Sequence, residues 1–205
     1  MTVRRVHLVR HGEVENPSGI VYGRTPGFHL SSRGQRQAAS AAASLAERGA
    51  DVRVVLSSPL ERTVESAQPI ADAFALRTET DDDFLEATNR LEGKDYDVSL
   101  SILARPAAWR YLVNPLRPSW GEAYTDVRER MVRGVHRAAA RPESGEIVIV
   151  SHQLPIWVLS RLGMGKPLYH DPRKRECAHS SITTFDVDGD RIARVDYADP
   201  GSEVT

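Results

Sequence analysis

This sequence predicts an α/β sandwich of three layers, with helices on both faces of a mainly parallel central sheet and an antiparallel edge. Three observations carry it. Short apolar runs at residues 4–10, 52–56 and 146–150 read as strands buried on both faces. Longer segments of helical period separate them, and the chain closes on a pattern of two strands about a tight turn. The first strand spans residues 4–10, and a helix rich in alanine follows from Ser32 to Arg48, opened by Ser31-Ser32 and ended at Gly49. Val52 to Leu56 is the next strand, and Pro59 begins a helix running to about Ala75. Arg77 to Thr80 reads as a short strand. Residues Asp81 to Asn114 are less regular, with helices expected around Asp97 to Leu103 and Pro106 to Val113. Gly121-Glu122 leads into a long amphipathic helix to about Ala140, and Glu146 to Val150 forms a strand ending on Ser151-His152. A helix from Leu154 to Leu162 stops at Gly163 and Gly165. Ser181 to Val187 and Arg191 to Tyr197 then pair across Asp188-Gly189-Asp190. Residues 1–199 are expected to form one domain, and 200–205 a disordered tail.

The formal net charge of −1 provides no global field for nucleic acid or an acidic membrane surface, and neither is expected as a partner. Lysine occurs only at Lys94, Lys166 and Lys174, so the cations are almost all guanidinium forks suited to bidentate phosphate contacts. Cys177 is the sole cysteine, which excludes an internal disulfide and a thiolate metal site and fits a reducing cytoplasm. No apolar run reaches membrane-spanning length, and the chain starts in a strand where a leader would place a basic, then apolar stretch.

Polar groups gather at three strand ends. Arg10-His11-Gly12-Glu13 follows the first strand, Ser57-Ser58-Pro59-Leu60-Glu61-Arg62 the second, and Ser151-His152 the late one. In open α/β sheets the carboxyl edge is where ligands bind, so all three junctions would open on one site. A nitrogen nucleophile beside fixed positive charge suits phosphoryl transfer. Arg62 falls in the first turn of a helix, where guanidinium and helix amino end can face the same anion.

Leu8-Val9-Arg10-His11-Gly12-Glu13, Ser57-Ser58-Pro59-Leu60-Glu61-Arg62-Thr63 and Val150-Ser151-His152 together resemble the signature elements of the histidine phosphatase superfamily, the phosphoglycerate mutase-like proteins. The resemblance implies a phosphatase with His11 as nucleophile, Arg10 and Arg62 clamping the phosphoryl oxygens, and His152 completing the pocket. It implies no metal and no cofactor; a phosphorylated small molecule is the expected substrate, with a phosphoprotein left open. Such chemistry needs a carboxyl group to protonate the leaving oxygen. The family's Leu-x-Glu element resembles Asp83-Phe84-Leu85-Glu86, which assigns the role to Glu86, with Glu92 and Asp83 as alternatives. Asn16 and Arg24 fit the family's early substrate-binding loop. Asn16 before Pro17 also reads as turn chemistry, and Arg24 as a rim residue. Gln153 stands where the family often has glycine, its backbone amide directed at phosphate. Glu13 and Glu122 read as structural, His7 as a packed sheet residue and Cys177 as a small packing residue. His29, His136, His170 and His179 receive no chemistry, and 170–175 reads as a solvated loop that would favour polyanionic substrates if it lies near the pocket.

Two other functions stay open. A phosphoglycerate mutase would carry an Arg-His-Tyr-Gly element after the acid, and this chain lacks it. A noncatalytic phosphate-binding module is compatible with the fold but would not need an intact nucleophile and acid.

Overall fold

A computed structural model describes residues 3–89, 92 and 121–204. The helices expected around 97–103 and 106–113 lie outside the described residues. Six strands form one sheet: β1 (Arg4–Arg10), β2 (Val52–Ser57), β3 (Thr78–Thr80), β4 (Glu146–Ser151), β5 (Ile182–Asp188) and β6 (Arg191–Ala198), in the order β3-β2-β4-β1-β5-β6. The first four in that order are parallel. The antiparallel edge arises because β5 runs against both β1 and β6.

Helices α1 (Ser32–Glu47), α2 (Glu61–Ala73), α3 (Tyr124–Ala139) and α4 (Gln153–Gly163) cover the two faces. Strand alternation sorts the core into two layers. Val6, Leu8, Ile147 and Ile149 pack with Val127, Met131, Val135, Ile156 and Leu159 of α3 and α4. Val9, Val148 and Val150 pack with Ala41, Ala42, Leu45, Ala67 and Ile70 of α1 and α2. The three-layer sandwich is therefore as the sequence predicts.

Register positions the site. Arg10 pairs with Ser151 and Ser57 with Val150, so β1, β4 and β2 end side by side. The amide of His11 donates to Ser151 O (3.1 Å) and that of Ser58 to Val150 O (2.9 Å), which carries the ladder one step past each strand.

Local chemistry explains most element ends and three differences. Ser31 caps α1, its side chain accepting from Gly34 N, and Gly49 follows in the left-handed region at φ 68°. Helix α2 starts at Glu61, with Pro59 in the preceding bend, because Thr63 Oγ1 donates to Ser58 O and Leu60 O and closes that bend. It stops at Ala73, two residues early, and Ala75 turns at φ 55°. The segment expected to be a disordered tail contacts α1. Residues 200–203 form a turn, Ser40 Oγ donates to Pro200 O (2.6 Å) and Arg33 Nε to Val204 O (3.1 Å). Side chains of α1 thus satisfy carbonyls that water would otherwise solvate.

Candidate phosphoryl-transfer site

The loop after β1 is fixed from two sides. Ser66 Oγ of α2 accepts from Gly12 N (3.0 Å), and Gln37 Oε1 of α1 accepts from Glu13 N (2.9 Å). The backbones of Gly12 and Gly34 meet so closely that a Cβ on either would stand under 3.0 Å from the other segment's backbone. Glycine is required at both positions by space. Gly34→Ala is expected to destabilise the protein by about 3 kcal/mol, lowering Tm by roughly 6–12 °C. An unchanged melting curve would show that this contact gives way freely.

His11 is 2% exposed and its Nδ1 lies 2.7 Å from Gly12 O. A carbonyl only accepts, so Nδ1 carries the proton and Nε2 holds a lone pair. Burial, then the charges of Arg10 and Arg62, hold its pKa well below the ordinary histidine value. The ring of His152 lies 5.2 Å from that of His11, fully buried, with Nε2 2.9 Å from Ser58 Oγ and Nδ1 3.5 Å from Arg62 Nη2. Burial and the neighbouring positive charges keep it neutral as well.

The two arginines are held by neutral acceptors. Arg10 donates from Nη1 to Cys177 O (2.8 Å) and from Nη2 to His179 Nε2 (2.9 Å). Arg62, 0% exposed, donates from Nη2 to Gly23 O (2.6 Å) and lies over the Tyr22 ring at 4.8 Å. Arg10 Nε, Arg62 Nε and Arg62 Nη1 are buried donors with no protein partner. Buried N–H groups of a cation are rarely left this way, and an anion would satisfy them.

Glu86 sits on an irregular segment after β3, yet that segment is pinned. Arg130 of α3 donates to Asp83 O and Leu85 O, Ser151 Oγ to Phe84 O (2.7 Å), and Arg24 Nε to Glu86 O (2.6 Å). Glu122 pairs with both Arg24 and Arg130, which is the structural role expected of it. The Glu86 side chain faces a cleft of about 260 Å³ that it lines with Arg10, His11, Tyr22, Tyr124, Gln153 and Arg175. One oxygen accepts from Ala87 N (2.8 Å), and burial raises its pKa against the pull of that bond and of Arg175, Arg62 and Arg10.

The two alternative carboxylates are committed elsewhere. Asp83 pairs with Arg133 and Arg137, and Glu92 accepts from the amides of Arg24 and Asn89.

Of the predicted site residues, the structure brings Arg10, His11, Glu86 and Gln153 to one cleft, with Arg62 and His152 buried beside His11. Two expected substrate contacts are engaged by the protein itself. Asn16 spends both ends of its carboxamide on the Ile20 backbone, Nδ2 donating to O (2.9 Å) and Oδ1 accepting from N (3.2 Å), a turn closed at Gly19. Arg24 is tied to Glu86 O and Glu122 and so positions the Glu86 segment.

Three residues near the nucleophile went unassigned in the sequence: His179, whose ring lies 6.0 Å from that of His11, and Tyr22 and Tyr124 of the cleft lining. Arg175, the last residue of the 170–175 loop, lines the cleft as well. Cys177 packs as expected, its thiol pushed up to about 11 by burial, while its carbonyl holds Arg10. Among the described residues no group of three or more His, Cys, Asp or Glu is placed to hold a metal ion, and no helix is long and apolar enough to cross a membrane.

Comparison with known proteins agrees with this geometry. An uncharacterized protein of Mycobacterium tuberculosis, Rv0525, is 48% identical over 198 residues, 97% of each chain. A probable phosphoglycerate mutase, GpmB of Proteus mirabilis, is 29% identical over 186 residues, 87% of this chain and 84% of that one. Among solved structures, a mycobacterial glucosyl-3-phosphoglycerate phosphatase superposes with a TM-score of 0.75 at 25% identity, covering 96% of this chain and 98% of that one. A putative alpha-ribazole-5'-P phosphatase from Escherichia coli shares the fold, with a TM-score of 0.75 at 22% identity over 94% of each chain. The histidine phosphatase superfamily (branch 1) model matches residues 6–200, and with the strand-end histidines and arginines in register the chain belongs to that superfamily.

Proposed function

We propose that this protein is a metal-independent phosphatase that hydrolyses a small phosphomonoester through a phosphohistidine on His11. The observation that carries the reading is the His11 ring. Its Nδ1 proton is held by Gly12 O, which leaves the lone pair on Nε2, and the ring lines the cleft within reach of the charge of Arg62, whose Nε and Nη1 are buried without a protein partner.

In the first step Nε2 attacks phosphorus, the ester P–O bond breaks, and the departing oxygen takes the proton of Glu86. Arg10 and Arg62 hold the nonbridging oxygens, and among the described residues neither is spent in an ion pair with a carboxylate, so their charge is available to the transition state. His152 borders them as a neutral imidazole. In the second step the Glu86 carboxylate takes a proton from water, the water oxygen bonds to phosphorus, and the N–P bond breaks to release phosphate. A reducing cytoplasm is the setting that suits a chain with one buried thiol.

The test is a panel of phosphomonoesters assayed with and without a chelator, together with rapid acid-free trapping of the enzyme. Turnover indifferent to chelator and an acid-labile, base-stable phosphoenzyme are expected. The likeness to probable phosphoglycerate mutases favours a second reading. Bisphosphoglycerate-dependent mutase turnover faster than hydrolysis would establish that reading and overturn the first, and a phosphoenzyme stable to acid would overturn both.

A further inference from the structure

Arg175 is the third guanidinium in the cleft, and it is held in the same way as the other two. It is half-exposed at most, and its Nε donates to His170 Nε2 (2.8 Å), whose own proton sits on Nδ1 facing Leu168 O (2.8 Å). Its Nη1 lies 3.4 Å from Gln153 Oε1, and Tyr124 stands beside it, its ring tilted against that of His170 at 5.2 Å. Among the described residues Arg175, like Arg10 and Arg62, has no carboxylate within ion-pair distance, whereas Arg133, Arg137, Arg141, Arg173 and Arg194 all do.

A buried or half-buried cation without a counter-ion is costly, and a fold keeps one where a ligand supplies the opposite charge. The two carboxylates that share the cleft among the described residues do not supply it. Glu122 is already shared between Arg24 and Arg130. Glu86 must be protonated in the form that reacts as acid, so in that form it brings no charge to Arg175. The phosphoryl dianion is matched by Arg10 and Arg62, which leaves the charge of Arg175 over.

We infer that Arg175, braced by His170, binds a second anionic group of the substrate, so that the preferred phosphomonoesters carry a carboxylate or a second phosphate besides the ester that is cleaved. This rests on the phosphatase reading for the chemistry but not for the binding, and the two are separable. Arg175 acts on specificity through the ligand's far end, and not on the reacting phosphorus.

The experiment has a binding arm and a turnover arm. In the binding arm, calorimetry compares methylphosphonate with 2-phosphonoacetate, 3-phosphonopropionate and methylenediphosphonate, on wild type, Arg175→Gln and Arg175→Lys. Wild type is expected to bind at least one doubly anionic phosphonate roughly tenfold or more tightly than methylphosphonate. The carboxylates and the diphosphonate show which second anion is read. Arg175→Gln should collapse that ratio toward one, with Arg175→Lys between, whatever happens to overall affinity. In the turnover arm, the kcat/KM ratio of anionic to neutral phosphomonoesters should fall in parallel. Equal losses on every ligand, as a merely structural arginine would cause, overturn the inference, as does a wild type without preference. Arg175-dependent binding selectivity without any turnover would support the ligand class and sink the phosphatase reading.

Discussion

Replacing His11 with alanine is expected to lower kcat/KM by about 10⁴-fold or more while phosphate still binds within a few-fold of wild type. Removing the nucleophile of a covalent mechanism typically costs this much, because what remains is only the positioning and electrostatic contribution of the pocket. His152 does not take over. Its Nε2 lies against Ser58 Oγ and the ring is fully buried, so no lone pair replaces that of His11 at the cleft. Water is a poor substitute without the carboxylate form of Glu86 in the first step. The anion clamp survives, since Arg10 and Arg62 are held by Cys177 O, His179 and Gly23 O, none of which is hydrogen-bonded to the His11 side chain. Steady-state kinetics and phosphate calorimetry on the same preparations separate the two effects. A residual rate above one hundredth of wild type would remove His11 from the role of nucleophile, and loss of phosphate binding with the rate would make it a structural residue instead.

How much of this site was legible depends on strand direction. The junctions after β1, β2 and β4 were readable because parallel strands all deliver their carboxyl ends to one edge, and their ends carry Arg10-His11, Ser57-Ser58 and Ser151-His152. His179 and Arg175 precede a strand, so by the same rule they belonged at the far edge. They reach the site because β5 is antiparallel to β1, with Val9 opposite Ile182, and the amino end of β5 therefore flanks the nucleophile. The closing hairpin predicted antiparallel pairing at an edge; taking it one step further, to a partner in β1, would have placed residues 175–181 beside Arg10.

Asn16 illustrates a different limit. A short amide side chain competes for nearby backbone, and a local turn won over a distant ligand. Glu86 was chosen from three carboxylates by pattern, and the distinguishing facts are long-range: Arg133 and Arg137 on α3 engage Asp83, and the Arg24 amide engages Glu92. No spacing within residues 83–92 encodes those partners. The pinning of this irregular loop by Arg130, from a helix more than forty residues later, is equally invisible in one sequence.

Glu86→Gln is expected to lower kcat/KM about 10²–10³-fold for alkyl phosphates and far less for p-nitrophenyl phosphate, whose leaving oxygen needs no proton. The pH profile discriminates further. Burial raises the Glu86 pKa, and the acid form is the one that protonates the leaving group, so wild-type kcat/KM for alkyl phosphates should fall as pH rises through that raised value. The amide does not titrate, so this alkaline limb should be absent in the variant.

Stability should move the other way. A carboxyl group with a raised folded-state pKa binds its proton more tightly in the folded protein. Its contribution is full below the ordinary glutamate value of about 4.3 and is lost as pH rises through the folded value. At pH 7 the wild type therefore bears the cost of a desolvated carboxylate that glutamine removes, and the variant should melt a few degrees higher. Below pH ~4 both chains carry a neutral group there, and the difference should vanish. A protein that loses rate and gains pH-dependent stability in this pattern has sacrificed stability for a proton donor in the cleft. A variant that keeps its alkyl phosphatase rate, or melts below wild type at neutral pH, would leave Glu86 as a structural carboxylate and return the acid's role to an unassigned group.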